Sequence, residues 1–373
     1  MRLWSFLSFT LAGAIWAGEG PADPSYPLWD GQESVAQYAE RINLPPTETL
    51  ELGNGVKLEL VLIPAGKFLM GTPEPEGVDE ESFLKKIEVG IALLVVSGAV
   101  LLVFLGSIIL HAIWKRSRPQ YSLARFLALA VAAGAALLSG MHAWYSAQAL
   151  ETAKLEYQAA QARFAAAGSD EKPAHPVTLT KPFYLGKFEV TQEQYQQVTG
   201  QNPSNFKGQD NPVEQVSWDD AQEFCKRLSA KMQRTVRLPT EAEWEYSCRG
   251  GTRTTYYSGD TEKDLKRVAW YDANAKNTTH PVGEKEQNVF GLYDMHGNVW
   301  EWCQDGYGDD YYSKSSTEDP QGPAIGAVRV LRGGSWFIDP GGCRSAFRSG
   351  TDPDDRYDVI GFRVAVAPAF RTP

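Results

Sequence analysis

Cysteine is scarce: four residues in 373, at Cys225, Cys248, Cys303 and Cys343. No two of them form a CxxC pair, which argues against a structural zinc site. Cations are also in deficit. Lys and Arg number 36 against 46 Asp and Glu, a net charge of −10. Nucleic acid is therefore excluded as a partner, because no surplus of cations exists to neutralise phosphates. P-loop and G-x-G-x-x-G turns are missing, as is any Ser/His/Asp arrangement, which removes the nucleotide-binding and serine-hydrolase readings. Only five histidines occur, and His111 and His142 lie inside apolar runs. Repeats and low-complexity tracts are absent. With 43% hydrophobic and 22% charged residues, wholesale disorder is excluded.

Apolar sequence is unevenly spread. Met1-Arg2, the apolar run Leu3–Trp16 and the small-residue exit at Ala17 predict a signal peptide over 1–17, followed by a polar extension over 18–49. Val89–Trp114 contains no Asp, Glu, Lys or Arg and predicts a transmembrane helix. At ~1.5 Å per residue it is long enough for a hydrocarbon core of ~30 Å. Phe126–Tyr145 predicts a second one. The loop 115–125 between them carries Lys115, Arg116, Arg118 and Arg125 and reads as cytoplasmic. The expected location is the plasma (inner) membrane, with two spans in the lipid bilayer and the main domain outside. Residues 146–168, rich in Ala and Gln, predict a helical stalk. An even cysteine count outside the cytoplasm favours disulfides.

The remaining chain predicts a loop-rich α+β fold. Val56–Ile63, Lys67–Gly71, Val177–Thr180 and Phe183–Val190 read as strands. Thr191, Ser217 and Thr240 read as N-caps of three helices, and Ala221, Phe224, Cys225 and Leu228 share one face of the second. The acidic clusters Asp219-Asp220, Glu241–Glu245 and Asp352–Asp358 read as caps and solvated loops.

Six ordered motifs carry a resemblance. They are Leu58–Gly71 (LELVLIPAGKFLMG), Lys181–Gln192 (KPFYLGKFEVTQ), Arg237–Gly251 (RLPTEAEWEYSCRGG), Phe290–Trp302 (FGLYDMHGNVWEW), Arg332–Trp336 (RGGSW) and Gly361-Phe362-Arg363. Together they resemble the sulfatase-modifying-factor family, whose founding activity is that of the formylglycine-generating enzyme. The resemblance covers 50–72 and 172–368 and implies a variant of the C-type lectin fold. The two-helix hairpin departs from the family pattern and would interrupt the domain at an exposed loop.

The resemblance also implies chemistry. Founding members oxidise a sulfatase cysteine to formylglycine with O2 and a copper held by two cysteines just after the Gly-Gly-Ser motif. Soft thiolates suit Cu(I), and both sulfurs are needed. Ser335 and Cys343 are thus the catalytic candidates. Counted forward from Ser335, Ile338 stands at the first copper position and Cys343 at the second. Counted back from Gly361, the segment is a few residues short, which leaves the match of Cys343 open. Copper is therefore not expected. Calcium is expected where family members bind it, at Asp294, Gly297, Val299 and Glu301, with Asn274 as a possible ligand of a second site. For the disulfide, the resemblance leans to Cys248–Cys343, with Cys303–Cys343 as competitor. A three-histidine iron site, as in ergothioneine-type relatives, would have to come from His175, His280 and His296, without the helical domain that carries it there.

Two functions follow as expectations. One is a membrane-anchored sulfatase-modifying-factor protein with copper-route activity lost or altered, meeting a sulfatase or another envelope or secreted protein. The alternative is a non-catalytic lectin-type module that binds a glycan or a protein.

Overall fold

A computed structural model describes residues 26–75, 141, 144–145, 148–149, 151–155, 157–323 and 326–368. The chain separates into two units, one of Met1–Pro73 with Ala167–Pro373, the other of Glu74–Ala166.

In the first unit, short polar side chains fix where helices begin. Helices α1 (Val35–Arg41), α2 (Gln192–Thr199), α3 (Trp218–Met232), α4 (Glu241–Arg249) and α5 (Glu262–Val268) start at Ser34, Thr191, Ser217, Thr240 and Thr261. Each cap accepts the N3 amide, and the N3 side chain bonds back to the cap amide. Gly200 and Gly250 end α2 and α4 in left-handed geometry.

Strands β1 (Thr47–Gly53) and β2 (Val56–Ile63) form a hairpin whose Asn54-Gly55 turn has positive φ at both residues. They open a five-stranded sheet in the order β1, β2, β5 (Phe183–Gly186), β13 (Ala365–Val366), β6 (Val236–Arg237). A second sheet runs β11 (Ser349–Thr351), β10 (Arg329–Arg332), β9 (Trp300–Gly306), β12 (Ile360–Gly361). Two short pairs join β3 (Gly66–Met70) to β4 (His175–Leu179) and β7 (Ala269–Trp270) to β8 (His296–Gly297).

Strand β2 explains why there are two large cores. Its Leu58, Leu60 and Leu62 enter a cluster with Tyr184, Phe224, Trp302 and Phe362, while Val61 and Ile63 enter another with Trp244, Tyr246 and Phe290. The period of two along the strand places alternate side chains on opposite faces. The stretch 18–49 contributes α1 and the start of β1 to this fold, with Tyr38 and Ala39 fully buried.

Two expectations are corrected. Among the described residues no helix is long and apolar enough to cross a membrane. A span needs about 20 apolar residues, whereas α3, at 15 residues, buries one face and exposes charge on the other. The two-span plasma-membrane location is therefore not supported. The predicted signal peptide 1–17, the span 89–114 and the loop 115–125 lie outside the described residues, and of the span 126–145 only Met141, Trp144 and Tyr145 are described. Within the stretch 146–168, residues 151–155 and 157–166 are helical. The second correction concerns disulfides: all four cysteines are free and buried. Cys225 and Cys343 sit in separate clusters, while Cys248 and Cys303 are in the Trp244 cluster. Neither Cys248–Cys343 nor Cys303–Cys343 forms.

Candidate active site

The loop after β10 brings the catalytic candidates together. Gly333 and Gly334 both have positive φ, at 97° and 81°. At Gly334 the reason is space as well as conformation. A Cβ there would lie 2.6 Å from the Cys343 sulfur and 3.0 Å from Cγ2 of Ile338. The Cys343 thiol and the Ile338 side chain thus converge on one backbone position. Ser335 is buried, and its hydroxyl accepts the Phe337 amide at 3.4 Å. Asp339 caps the short turn Pro340–Cys343 by accepting the Gly342 amide at 3.1 Å.

His296 fixes the far side of this turn. It is fully buried, and its Nε2 accepts the Tyr257 amide at 3.1 Å. That leaves the proton on Nδ1, which donates to the Cys343 carbonyl at 2.8 Å. Burial pushes the imidazole pKa down to about 3, so it is neutral and structural at ordinary pH. Burial likewise pushes the Cys343 thiol well up, although the Ser335 and Gly297 amides oppose this. His175 lies edge-on to Tyr312 and His280 stacks on Trp270, so the three histidines remaining outside the apolar runs do not meet.

The calcium candidates fall into a buried charge cluster beneath β8 and β9. Glu301 is held by Arg363, whose Nε and Nη2 each donate at 2.6 Å, and it accepts the Trp244 indole N–H at 2.8 Å. Asp294 has φ 55° and accepts the Gly283 amide at 2.7 Å through Oδ2, while Oδ1 is buried with no partner among the described residues. Burial raises its pKa to about 6. Gly297 tolerates no side chain, since a Cβ would meet the Trp270 carbonyl oxygen at 2.0 Å. The Val299 amide donates to Glu189 at 3.1 Å, and Asn298 donates to the same carboxylate at 2.7 Å. Burial, then the charges of Asp294 and Glu301, raise the Glu189 pKa well above its ordinary value. Three carboxylates here face the guanidinium of Arg363. Asn274 is elsewhere, its amide spent on the Tyr271 N–H and the Ala269 carbonyl. Among the described residues no group of three or more His, Cys, Asp or Glu is arranged to hold a metal by side chains alone.

Sequence reasoning missed Glu189 and Arg363. An acid near the end of the apolar run Phe183–Val190 was the available signal for the first, and Arg363 stood in a quoted motif without a role. The acidic run of α4 also differs from its reading as a solvated cap. Glu241 and Glu245 are buried and paired with Arg348 and Arg332 respectively.

The family described as "Sulfatase-modifying factor enzyme 1-like domain" matches residues 150–368, more than half of the chain. The chain belongs to this family. Among curated relatives, "Chaperone protein LppX" of Paenibacillus barcinonensis is 36% identical over 43% of this chain and 71% of that protein. The formylglycine-generating enzyme of Streptomyces coelicolor is 39% identical over 43% of this chain and 55% of its own length. That of Mus musculus is 34% identical over 51% and 53%. The chain therefore spans little more than half of these two enzymes. Among solved structures, Treponema denticola variable protein 1 superposes with a TM-score of 0.58 at 26% identity, over 87% of this chain and all of that one. PvdO from Pseudomonas aeruginosa has a TM-score of 0.57 at 24% identity, over 87% and 99%, and supports the fold alone. The sulfatase-modifying-factor chain thus has the mixed α/β, loop-rich fold expected of it.

Proposed function

We propose that this protein is a sulfatase-modifying-factor member that has lost the copper route from a sulfatase cysteine to formylglycine and retains recognition of a polypeptide. The Ile338 side chain, which faces the Gly334 position beside the Cys343 sulfur, carries the reading. One thiol and one hydrocarbon branch do not make a two-coordinate thiolate site, so copper does not fit these residues. Recognition is supported by the adjoining surface. Phe337 is 66% exposed and lies edge-on to Trp336, which in turn meets Phe206. Aromatic groups of this kind suit a polypeptide segment.

Calcium belongs to the same proposal as a structural ion. The residues fit it in part: Asp294 has an unpartnered buried oxygen, and Glu189 adds a second carboxylate. Gly297 and Val299 would add carbonyl oxygens, while Glu301 stays with Arg363. The ion would supply positive charge to a cluster short of it.

The test incubates the full chain with copper, O2, a thiol reductant and a sulfatase-derived cysteine peptide, followed by mass spectrometry of the peptide. No conversion of thiol to aldehyde is expected. Conversion at catalytic turnover overturns the reading.

A further inference from the structure

We propose that the cleft between the β3–β4 pair and the C-terminal end of α4 binds a small organic anion with an apolar body, of the aryl- or alkyl-carboxylate class. The cleft holds about 400 Å³. That lies within the range of small-molecule sites and suits a body of roughly a dozen heavy atoms. Phe68, Leu69, Pro176 and Val177 supply its apolar lining. Its charge is one-sided: Lys67, Arg249 and Arg253 line it and no Asp or Glu does. In a chain with 46 acids and 36 bases, this is the reverse of the average surface.

The cations are free to act. Lys67 and Arg253 make no ion pair or side-chain hydrogen bond among the described residues. Arg249 uses Nε on Glu245 at 2.8 Å and Nη2 on the Gly71 carbonyl at 3.1 Å. Its Nη1 has no partner among the described residues. The buried Glu245 pair holds this guanidinium in place, so one donor at the cleft is preorganised while the other two are exposed side chains. A carboxylate accepts such donors, and the apolar wall takes the rest of the molecule.

Strand addition by a peptide is disfavoured at β4. That edge is already closed by the Thr178 amide donating to the Thr317 carbonyl at 2.8 Å and the Asp319 amide donating to the Thr178 carbonyl at 3.0 Å. A free small anion needs no open edge.

The experiment titrates the full chain by calorimetry with phenylbutyrate, phenylbutanol and phenylbutylamine, which share a body and differ in charge. Saturable one-site binding of phenylbutyrate is expected, about tenfold tighter than the alcohol, with the amine weakest. Arg253→Gln should weaken the anion about tenfold and leave the alcohol unchanged. Lys67→Gln, at an exposed position, provides a second variant with the same expected direction. Equal affinity for acid and alcohol, absence of saturation, or unchanged anion affinity in both variants would overturn the proposal.

Discussion

Glu171 grips Arg344 through two parallel bonds of 2.7 Å, one residue beyond Cys343. Thr72 donates its hydroxyl to the same carboxylate at 2.7 Å and its amide to the Glu171 carbonyl at 3.0 Å. The two points where the chain leaves and re-enters the first unit are thus tied to each other and to the site loop. Glu171 is buried, so removing its cation strands a charge. Arg344→Met should destabilise the unit by about 3 kcal/mol in denaturant unfolding. Adding Glu171→Gln should recover a large part of that loss. If the double variant is no more stable than the single one, the pair is not coupled.

Arg363 and Glu301 form a second buried pair, both almost fully enclosed. Arg363→Met removes both charge-assisted bonds and leaves Glu301 with the Trp244 indole alone. An expected loss of about 3–5 kcal/mol would be read from the denaturation midpoint at constant slope. Glu301→Gln keeps the indole acceptor and should cost less. Equal losses in the two variants would show that packing, not charge, dominates.

Much of the fold was legible because its signals are local. The capping boxes at Thr191, Ser217 and Thr240 each lie within four residues, and the alternation in β2 needs only its own eight. The buried charges were illegible for the opposite reason. Glu241 meets Arg348 across 107 positions, and Glu301 meets Arg363 across 62. A carboxylate in sequence looks the same whether water or a distant guanidinium solvates it. The cysteines failed similarly: an even count says nothing about whether the thiols point into one cluster or several. In the site, Ser335, Ile338 and Cys343 could be named together from the Gly-Gly-Ser motif because the stretch that joins them is short and ends in the local turn Pro340–Cys343.

Asp294 predicts a pH dependence. Its folded pKa, raised to about 6 from 3.8, means that the folded state binds the proton more tightly than the unfolded one. The stability from this group is full below pH 3.8 and is lost as pH rises through 6. Without calcium, that loss is on the order of 2–3 kcal/mol at neutral pH. Asp294→Asn should therefore raise the melting temperature at pH 7 in chelator and flatten the fall between pH 4 and 6. With calcium the wild type should gain stability and the variant should not. A wild-type melt indifferent to both pH and calcium would remove Asp294 from the site.

Ile338→Cys should restore Cu(I) binding. The substitution places a second sulfur on the side chain that now meets the Gly334 position, beside the sulfur of Cys343. Two soft donors against one backbone suit a two-coordinate cuprous ion. Burial holds the Cys343 thiol protonated, so the metal must displace its proton, and affinity should rise with pH. The change also removes methyl groups from a partly buried position and should cost about 1 kcal/mol. The measurement is anaerobic competition for Cu(I) against a chromophoric chelator, with the reduced full chain. Wild type should fail to compete, Ile338→Cys should take up one equivalent, and Cys343→Ser in that background should abolish uptake. Stoichiometric binding by the wild type at the same affinity as the variant would mean that a ligand other than a second cysteine completes the site, and the loss of the copper route would have to be abandoned.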